Sequence, residues 1–307
     1  MADAIRTGRA YAGAHDLRRL QDAVAAAIDC TILRVGDLAW FTRLGTHRQL
    51  GLTIRLWEDE TGRITGAVFL SAKSLLVIFV TPGETDAAFI DEMLASVDEV
   101  ARAAVAAGDP APDIEAYGID LDRSPEDRAI AAALERSGFA VTQSESGLHR
   151  RSLDDLPEPR VPAGYRLAAV ETREQVIGRV DAHRAAFAPS ELTLGAYTRV
   201  RRTWPYRPAL DRIVVTDDGV VAAFCTVWFD ETNGTGLLES VGTHPDHQRR
   251  GLAAAVCLDG LHALCAAGAR TAEVGFIAPA ASTLYRSIGF EPNISDLVYR
   301  RPPSHSE

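Results

Sequence analysis

The sequence predicts a mixed α/β (α+β) protein laid out twice in tandem. Three observations carry that expectation. Strands and amphipathic helices alternate within each half, which implies a mixed sheet flanked by helices. The order of elements repeats once, with a period of about 150 residues. Between the copies, residues 151–164 hold three prolines, several charges and no periodicity, the mark of a linker. At 307 residues the chain exceeds a typical single domain. Its 47% apolar fraction is ample for two cores.

The elements follow in order. An amphipathic stretch at 16–27 opens the first half, and strands follow at 52–57, 66–70 and 75–80. A long helix at 86–107, a strand at 113–117 and a short helix ending in Arg136-Ser137-Gly138-Phe139 complete it. The second half repeats this with a helix at 172–187 and strands at 213–216, 220–229 and 237–243. A helix at 252–267, a strand at 271–276 and a short helix ending in Arg286-Ser287-Ile288-Gly289-Phe290 close it. The expected division is 1–150, a linker at 151–164, and 165–307.

Charge narrows the function classes. Thirty-two basic residues stand against 42 acidic ones, a net of −10. That balance disfavours nucleic acid and anionic membranes as bulk partners, while leaving room for one local basic pocket. Cys30, Cys225, Cys257 and Cys265 form no close pair of the zinc or redox kind, so no metal site is expected. They read as small apolar residues of a reduced protein. No stretch approaches the ~18 apolar residues of a membrane span, and the first residues lack a signal-peptide core. The expectation is a soluble cytoplasmic protein with no membrane partner.

The chemistry concentrates at residues 237–256. A β-rich apolar run ends in Gln248-Arg249-Arg250-Gly251-Leu252-Ala253, and an alanine-rich helix begins there. The first backbone N–H groups of a helix have no internal partner, and its dipole adds about half a positive charge at that end. Gly251 allows close approach of an anion, and Arg249 and Arg250 add full charges. The order builds a phosphate seat.

This loop resembles motif A of the GNAT superfamily of N-acetyltransferases, Gln/Arg-x-x-Gly-x-Gly/Ala. A second stretch, from Ala278 to Phe290, resembles the motif B pattern Asn-x-x-Ala-x-x-Leu-Tyr-x-x-x-Gly-Phe, with Ala278 in place of the usual asparagine. The resemblance implies two tandem GNAT-like domains, each a mixed, mostly antiparallel sheet flanked by helices. It implies acetyl-CoA as co-substrate, seated by Gln248, Arg249, Arg250, Gly251, Leu252, Ala253 and Ala254, with Ala278 and Ala281 alongside. The strand through Val241, Gly242 and Thr243 would pair with the pantetheine arm as an added strand. The Val241 N–H would stabilise the oxyanion formed on acyl transfer. Tyr285 inherits the family's thiolate-protonating tyrosine. Glu239 stands two residues before Val241, where acidic residues are common, and is the first candidate base. His183 and His244 are lesser ones.

The first half departs at the critical loop. Val80-Thr81-Pro82 aligns with Thr243-His244-Pro245, but Gly83-Glu84-Thr85-Asp86 then places two carboxylates where the pyrophosphate would lie. Leu134 stands where Tyr285 would. Only the second half is expected to bind coenzyme, a tandem plan similar to that of mycothiol synthase-like proteins. The acceptor wall is expected from Phe187–Tyr197 and Trp204-Pro205-Tyr206-Arg207, which would grip a ligand or equally pack the domain junction. Trp228 and Phe229 are placed at its opening, and Gly36-Asp37-Leu38-Ala39-Trp40 is available to close the second-half site.

The resulting expectation is acetyl-CoA-dependent transfer to a primary amine, small molecule or peptide, within a ternary complex. A non-catalytic coenzyme A-binding or sensing module, a tandem aminoacyl transferase using charged tRNA, and an interaction protein with both halves inert are the alternatives. The oligomeric state, a homodimer included, stays open.

Overall fold

The computed structural model describes residues 5–44, 52–71, 75–109, 111–119, 124–142, 146–190 and 192–303. Glu191 of the expected acceptor wall lies outside them. The chain forms two compact units. One comprises Met1–Arg34, Gly45–Glu145 and Ser295–Glu307, and the other Val35–Leu44 and Ser146–Ile294.

The first unit is a mixed sheet. β1 (Arg6–Ala10), β2 (Leu52–Asp59), β3 (Ile64–Ser71) and β4 (Leu75–Val80) run antiparallel in sequence order. β5 (Ile114–Ile119) lies parallel to β4, and β13 (Glu291–Arg301) runs antiparallel to β5 and to the short β6 (Ala140–Thr142). α3 (Ala87–Ala106) and α4 (Pro125–Arg136) supply Phe89, Ile90, Met93, Leu94, Ile130 and Leu134 to a core shared with Trp57 and Val68.

The second unit repeats the plan. β8 (Tyr165–Ala169), β9 (Asp211–Thr216), β10 (Val221–Asp230) and β11 (Thr235–Thr243) are antiparallel. β12 (Thr271–Phe276) lies parallel to β11, and β7 (Gly147–Ser152) runs antiparallel to β12. Both sheets are mixed and mostly antiparallel. α5 (Arg173–Ala186) starts with a reciprocal capping box, in which Thr172 caps Gln175 and Gln175 reaches back. α7 (Leu252–Ala266) buries Leu252, Val256, Leu261 and Leu264 against β10 and β11.

These units are not the two sequential halves. The strand that closes the first half, β7, pairs in the second unit's sheet, and the last strand of the chain, β13, pairs in the first. Residues 151 and 152 of the expected linker are strand residues opposite Ala272 and Thr271. A strand's side-chain pattern says which face is buried, not which sheet edge it joins. The second exchange is α2 (Val35–Leu44), which packs on β10, β11 and α6 (Leu194–Val200). Its Val35, Leu38, Ala39 and Trp40 are buried. Burying a Trp-sized side chain removes ~200 Å² from water, worth about 5 kcal/mol at ~25 cal/mol per Å². That drive explains why this apolar helix is part of the second unit's core.

Candidate active site

The site begins where β11 leaves its parallel neighbour. The β11–β12 pairing runs from Thr235↔Thr271 to Leu238↔Val274 and ends there. β11 continues to Thr243 with β10 on its other edge. One edge of Glu239–Thr243 is therefore open to an added strand. A bulge sits at the same point: Cys225 faces Val241 but Val227 faces Leu238, so Glu239 and Ser240 together oppose Thr226. Such a bulge re-aims side chains, and it breaks the strict alternation that places Glu239 and Val241 on one face. Gly242 is required by space: a Cβ there would fall 2.3 Å from Cζ of Phe224.

Glu239 is half-buried. Burial, and then the charge of Asp37 on α2, push its carboxyl up to about 8, against the opposing pull of Arg179. It can hold or release a proton near neutral pH, which suits a general base. Its backbone carbonyl accepts a hydrogen bond from Trp228 Nε1.

The loop after β11 turns through a 3₁₀ segment at Pro245–His247. Gln248 Nε2 donates to the Thr243 carbonyl at 3.4 Å. Arg250 is tied down, donating to the Tyr165 hydroxyl at 2.9 Å and to the Asp246 carbonyl at 3.3 Å. His247 Nδ1 shares that hydroxyl at 2.9 Å. Arg249, exposed, makes no such bond among the described residues. Its backbone, at φ 63, and that of Gly251, at φ 77, are left-handed. Gly251 is the N-cap of α7 and offers no capping side chain. The first helical bond runs from the Ala255 N–H to the Gly251 carbonyl at 3.1 Å. The N–H groups of Leu252, Ala253 and Ala254 thus point out of the helix beside Arg249. This donor set fits a pyrophosphate.

α8 (Pro279–Ser287) starts at Ala278, again with no capping side chain. Tyr285 is buried against Phe290, with ring centroids 6.1 Å apart. Burial, followed by the charges of Cys257, Glu239 and Cys225, drives its phenol well up. The phenol therefore stays protonated and able to donate. The charge of Glu239 acts on this phenol, which puts candidate acid and candidate base in one electrostatic neighbourhood.

A buried polar network lies behind β11. The Arg179 guanidinium, fully buried, sits 3.7 Å from the Phe224 ring centroid. It donates to Ser240 Oγ at 3.1 Å and Thr226 Oγ1 at 3.2 Å. Asp211 accepts from Thr226 at 3.0 Å, from the Tyr206 hydroxyl at 2.8 Å and from the Tyr197 hydroxyl. Two aromatics expected in the acceptor wall, Tyr197 and Tyr206, thus serve this network. Trp228 and Phe229 are buried as well, not at an opening. Sequence reasoning missed Arg179 and Asp211, because nothing in a helical arginine or a strand aspartate announces burial. His183 is buried beside Trp40, 5.6 Å between centroids, and accepts or donates at Ser190 Oγ, 3.2 Å away. Burial and Arg179 lower its pKa to about 3. That makes it a poor base. His244 lies in the loop, accepting from the Asp246 N–H at 3.3 Å.

The corresponding places in the first unit are filled from within. β4–β5 pairing also stops early, at Val77↔Tyr117. Asp86 caps α3, accepting from the Ala88 N–H at 3.0 Å. Arg6 pairs with Glu84 at 2.6 Å and with Asp86 at 3.2 Å. α4 has 12 residues to the 9 of α8, aligned at their ends, so it starts a turn earlier. That extra turn carries Glu126, whose carboxylate takes the Gly83 N–H at 2.7 Å. Among the described residues no group of three or more His, Cys, Asp or Glu could hold a metal. No described helix is long and apolar enough to cross a membrane.

Residues 209–292 match the family model for the acetyltransferase (GNAT) domain. The whole chain is similar to solved structures. A GCN5-related N-acetyltransferase from Sphaerobacter thermophilus matches at 17% identity and TM-score 0.64, covering 98% of both chains. A tandem GNAT protein from the clavulanic acid biosynthesis pathway matches at 18% identity and TM-score 0.65, covering 99% of this chain and 100% of that one. A GCN5-related N-acetyltransferase from Kribbella flavida matches at 21% identity and TM-score 0.55, covering 78% of this chain and 88% of the other. Among curated proteins the sequence has no match. Residues 209–292 of the second unit thus resemble the GNAT acetyltransferase domain, and the chain has the fold of tandem GNAT proteins. This fold supports acyl transfer in general terms.

Proposed function

We propose that the protein is an N-acetyltransferase that moves an acetyl group from acetyl-CoA to a primary amine through its second unit alone. The observation that carries this reading is the uncapped, left-handed start of α7 at the end of a strand with one open edge. Gly251, Arg249 and the N–H groups of Leu252, Ala253 and Ala254 would hold the pyrophosphate, with Arg250 and Gln248 shaping the loop. The open edge of Val241–Thr243 would receive the pantetheine arm, passing Ala278 and Ala281.

The chain's own residues then have distinct tasks. Glu239 takes the proton that the acceptor ammonium must lose before its nitrogen can attack. The Val241 N–H is the candidate donor to the oxygen that gains charge. Tyr285 offers its hydroxyl proton to the departing sulfur and recovers one from the acylated nitrogen, which loses its second proton as the amide forms. A thiolate has a reference pKa near ~8.5, so this assistance is modest. The reading is tested by thiol release from acetyl-CoA across a panel of primary amines. Amine-dependent release by the wild type is the expected result. Coenzyme binding with no release for any amine would leave a binding module instead.

A further inference from the structure

The first strand of each unit reaches the loop that precedes the long helix, but with different chemistry. In the first unit Arg6 of β1 ion-pairs with Glu84 and Asp86. In the second unit Tyr165 opens β8. Its ring packs on the core of that unit, and its hydroxyl reaches a loop more than 80 residues further along the chain. Arg250 Nη1 donates to this hydroxyl at 2.9 Å, and His247 Nδ1 lies 2.9 Å from it.

The residue types settle who donates. A guanidinium has no acceptor, so the hydroxyl oxygen accepts from Arg250. The hydroxyl proton then goes to His247 Nδ1, which leaves the neutral ring its proton on Nε2. One phenol thus ties together both ends of the turn from His247 to Arg250. Arg250 Nη2 closes the turn again on the Asp246 carbonyl at 3.3 Å. Gln248 Nε2 holds it to the Thr243 carbonyl at 3.4 Å.

Arg249 sits inside this clasp. At φ 63 it is the one non-glycine residue with positive φ among the described residues. Such a backbone persists only where its surroundings hold it. Here the neighbour on each side is anchored, while the exposed Arg249 side chain makes no hydrogen bond among the described residues.

Resting on the coenzyme-binding part of the reading above, we propose that Tyr165 is the positioning residue of the coenzyme loop. It engages Arg250 as a strut and keeps Arg249 in its left-handed turn. One arginine of the pair, Arg249, is thereby presented to the pyrophosphate, and Arg250 acts through Tyr165 rather than on the phosphate.

The test is calorimetric titration of acetyl-CoA into the whole chain. Tyr165→Phe keeps the ring on the core and removes only the hydroxyl. Affinity should fall about ten-fold, the weight of one charge-assisted hydrogen bond. Arg250→Ala should lose a similar factor, and Tyr165→Phe/Arg250→Ala no more than Arg250→Ala alone. Nitrogen-15 spectra of the histidine rings at pH 8 give a second readout, with the His247 signals identified by their absence in His247→Gln. Wild type should show the proton on Nε2, and Tyr165→Phe should lose that preference. Unchanged or raised affinity in Tyr165→Phe, additive losses in the double variant, or the same His247 signals in both proteins would overturn the proposal alone. No acetyl-CoA binding by wild type would overturn it together with the reading beneath it.

Discussion

α3 and α7 occupy the same place in two sheets of the same plan, yet their N-termini are chemically opposite. α3 is capped by its own Asp86, its preceding loop donates Gly83 N–H to Glu126, and Arg6 neutralises Glu84 and Asp86. α7 begins at a bare glycine, with no capping side chain and an exposed arginine beside it. A helix start is an anion seat only while its N–H groups and its positive end stay unclaimed. The first unit satisfies that end with internal carboxylates. The second leaves it open, and stability must come from packing along the helix.

The largest effect should come from cutting the chain as its sequence suggests. A fragment starting at residue 146 lacks α2, whose buried Val35, Leu38, Ala39 and Trp40 belong to the second unit's core. Circular dichroism on heating should show no cooperative transition for this fragment. A sharp transition like that of the full chain would mean that α2 is dispensable.

Next is the loop itself. Gly251→Val places a β-branched residue at φ 77, which costs ~1–3 kcal/mol of backbone strain. Nothing lies within 4 Å of the added Cβ, so the fold should survive. Acetyl-CoA affinity should fall ~100-fold as the loop rearranges, a difference of about 2.7 kcal/mol. Unchanged affinity, measured by fluorescence competition, would remove the loop from the site.

The proposed base, Glu239, gives a pH signature. The Glu239 carboxyl is pushed up to about 8, so kcat/KM should rise through an acidic limb near that pH, and Glu239→Gln should flatten it. Stability carries the opposite sign. A carboxyl whose folded pKa exceeds its unfolded one opposes folding as it ionises, so wild type loses stability between the ordinary glutamate value of 4.5 and about 8. Glu239→Gln should thus unfold at a higher temperature than wild type at pH 9, with a smaller advantage at pH 5. Equal melting temperatures at both would place Glu239 in a solvated setting.

The smallest effect probes the filled end. Asp86→Ala removes the cap of α3 and should cost about 1 kcal/mol in denaturant unfolding without creating a second coenzyme site. A gain of coenzyme binding would show that one carboxylate alone closes the first unit.

Much of this contrast was legible from residues. The loop Gln248–Ala253, the acidic replacement at Glu84 and Asp86, and Leu134 opposite Tyr285 are local signals, because capping and phosphate seats depend on consecutive residues. The paired Gly-Phe endings are local in the same way. What the sequence concealed is non-local. Polar β1, whose Arg6 and Arg9 reach carboxylates of other elements, has no apolar alternation to find. The exchange of β7 and β13 depends on edge pairing between distant strands. Arg179 and Asp211 lie 32 residues apart, and only their shared burial makes them a unit. The bulge at Glu239–Ser240 arises from the register of two strands, which no single segment encodes.

The central claim is that one unit of two binds coenzyme. Its direct test is calorimetric titration of acetyl-CoA into the whole chain, beside an Arg249→Ala/Arg250→Ala variant. The account predicts one site per chain, lost in the variant. Two sites, or one site that survives in the variant, would contradict it.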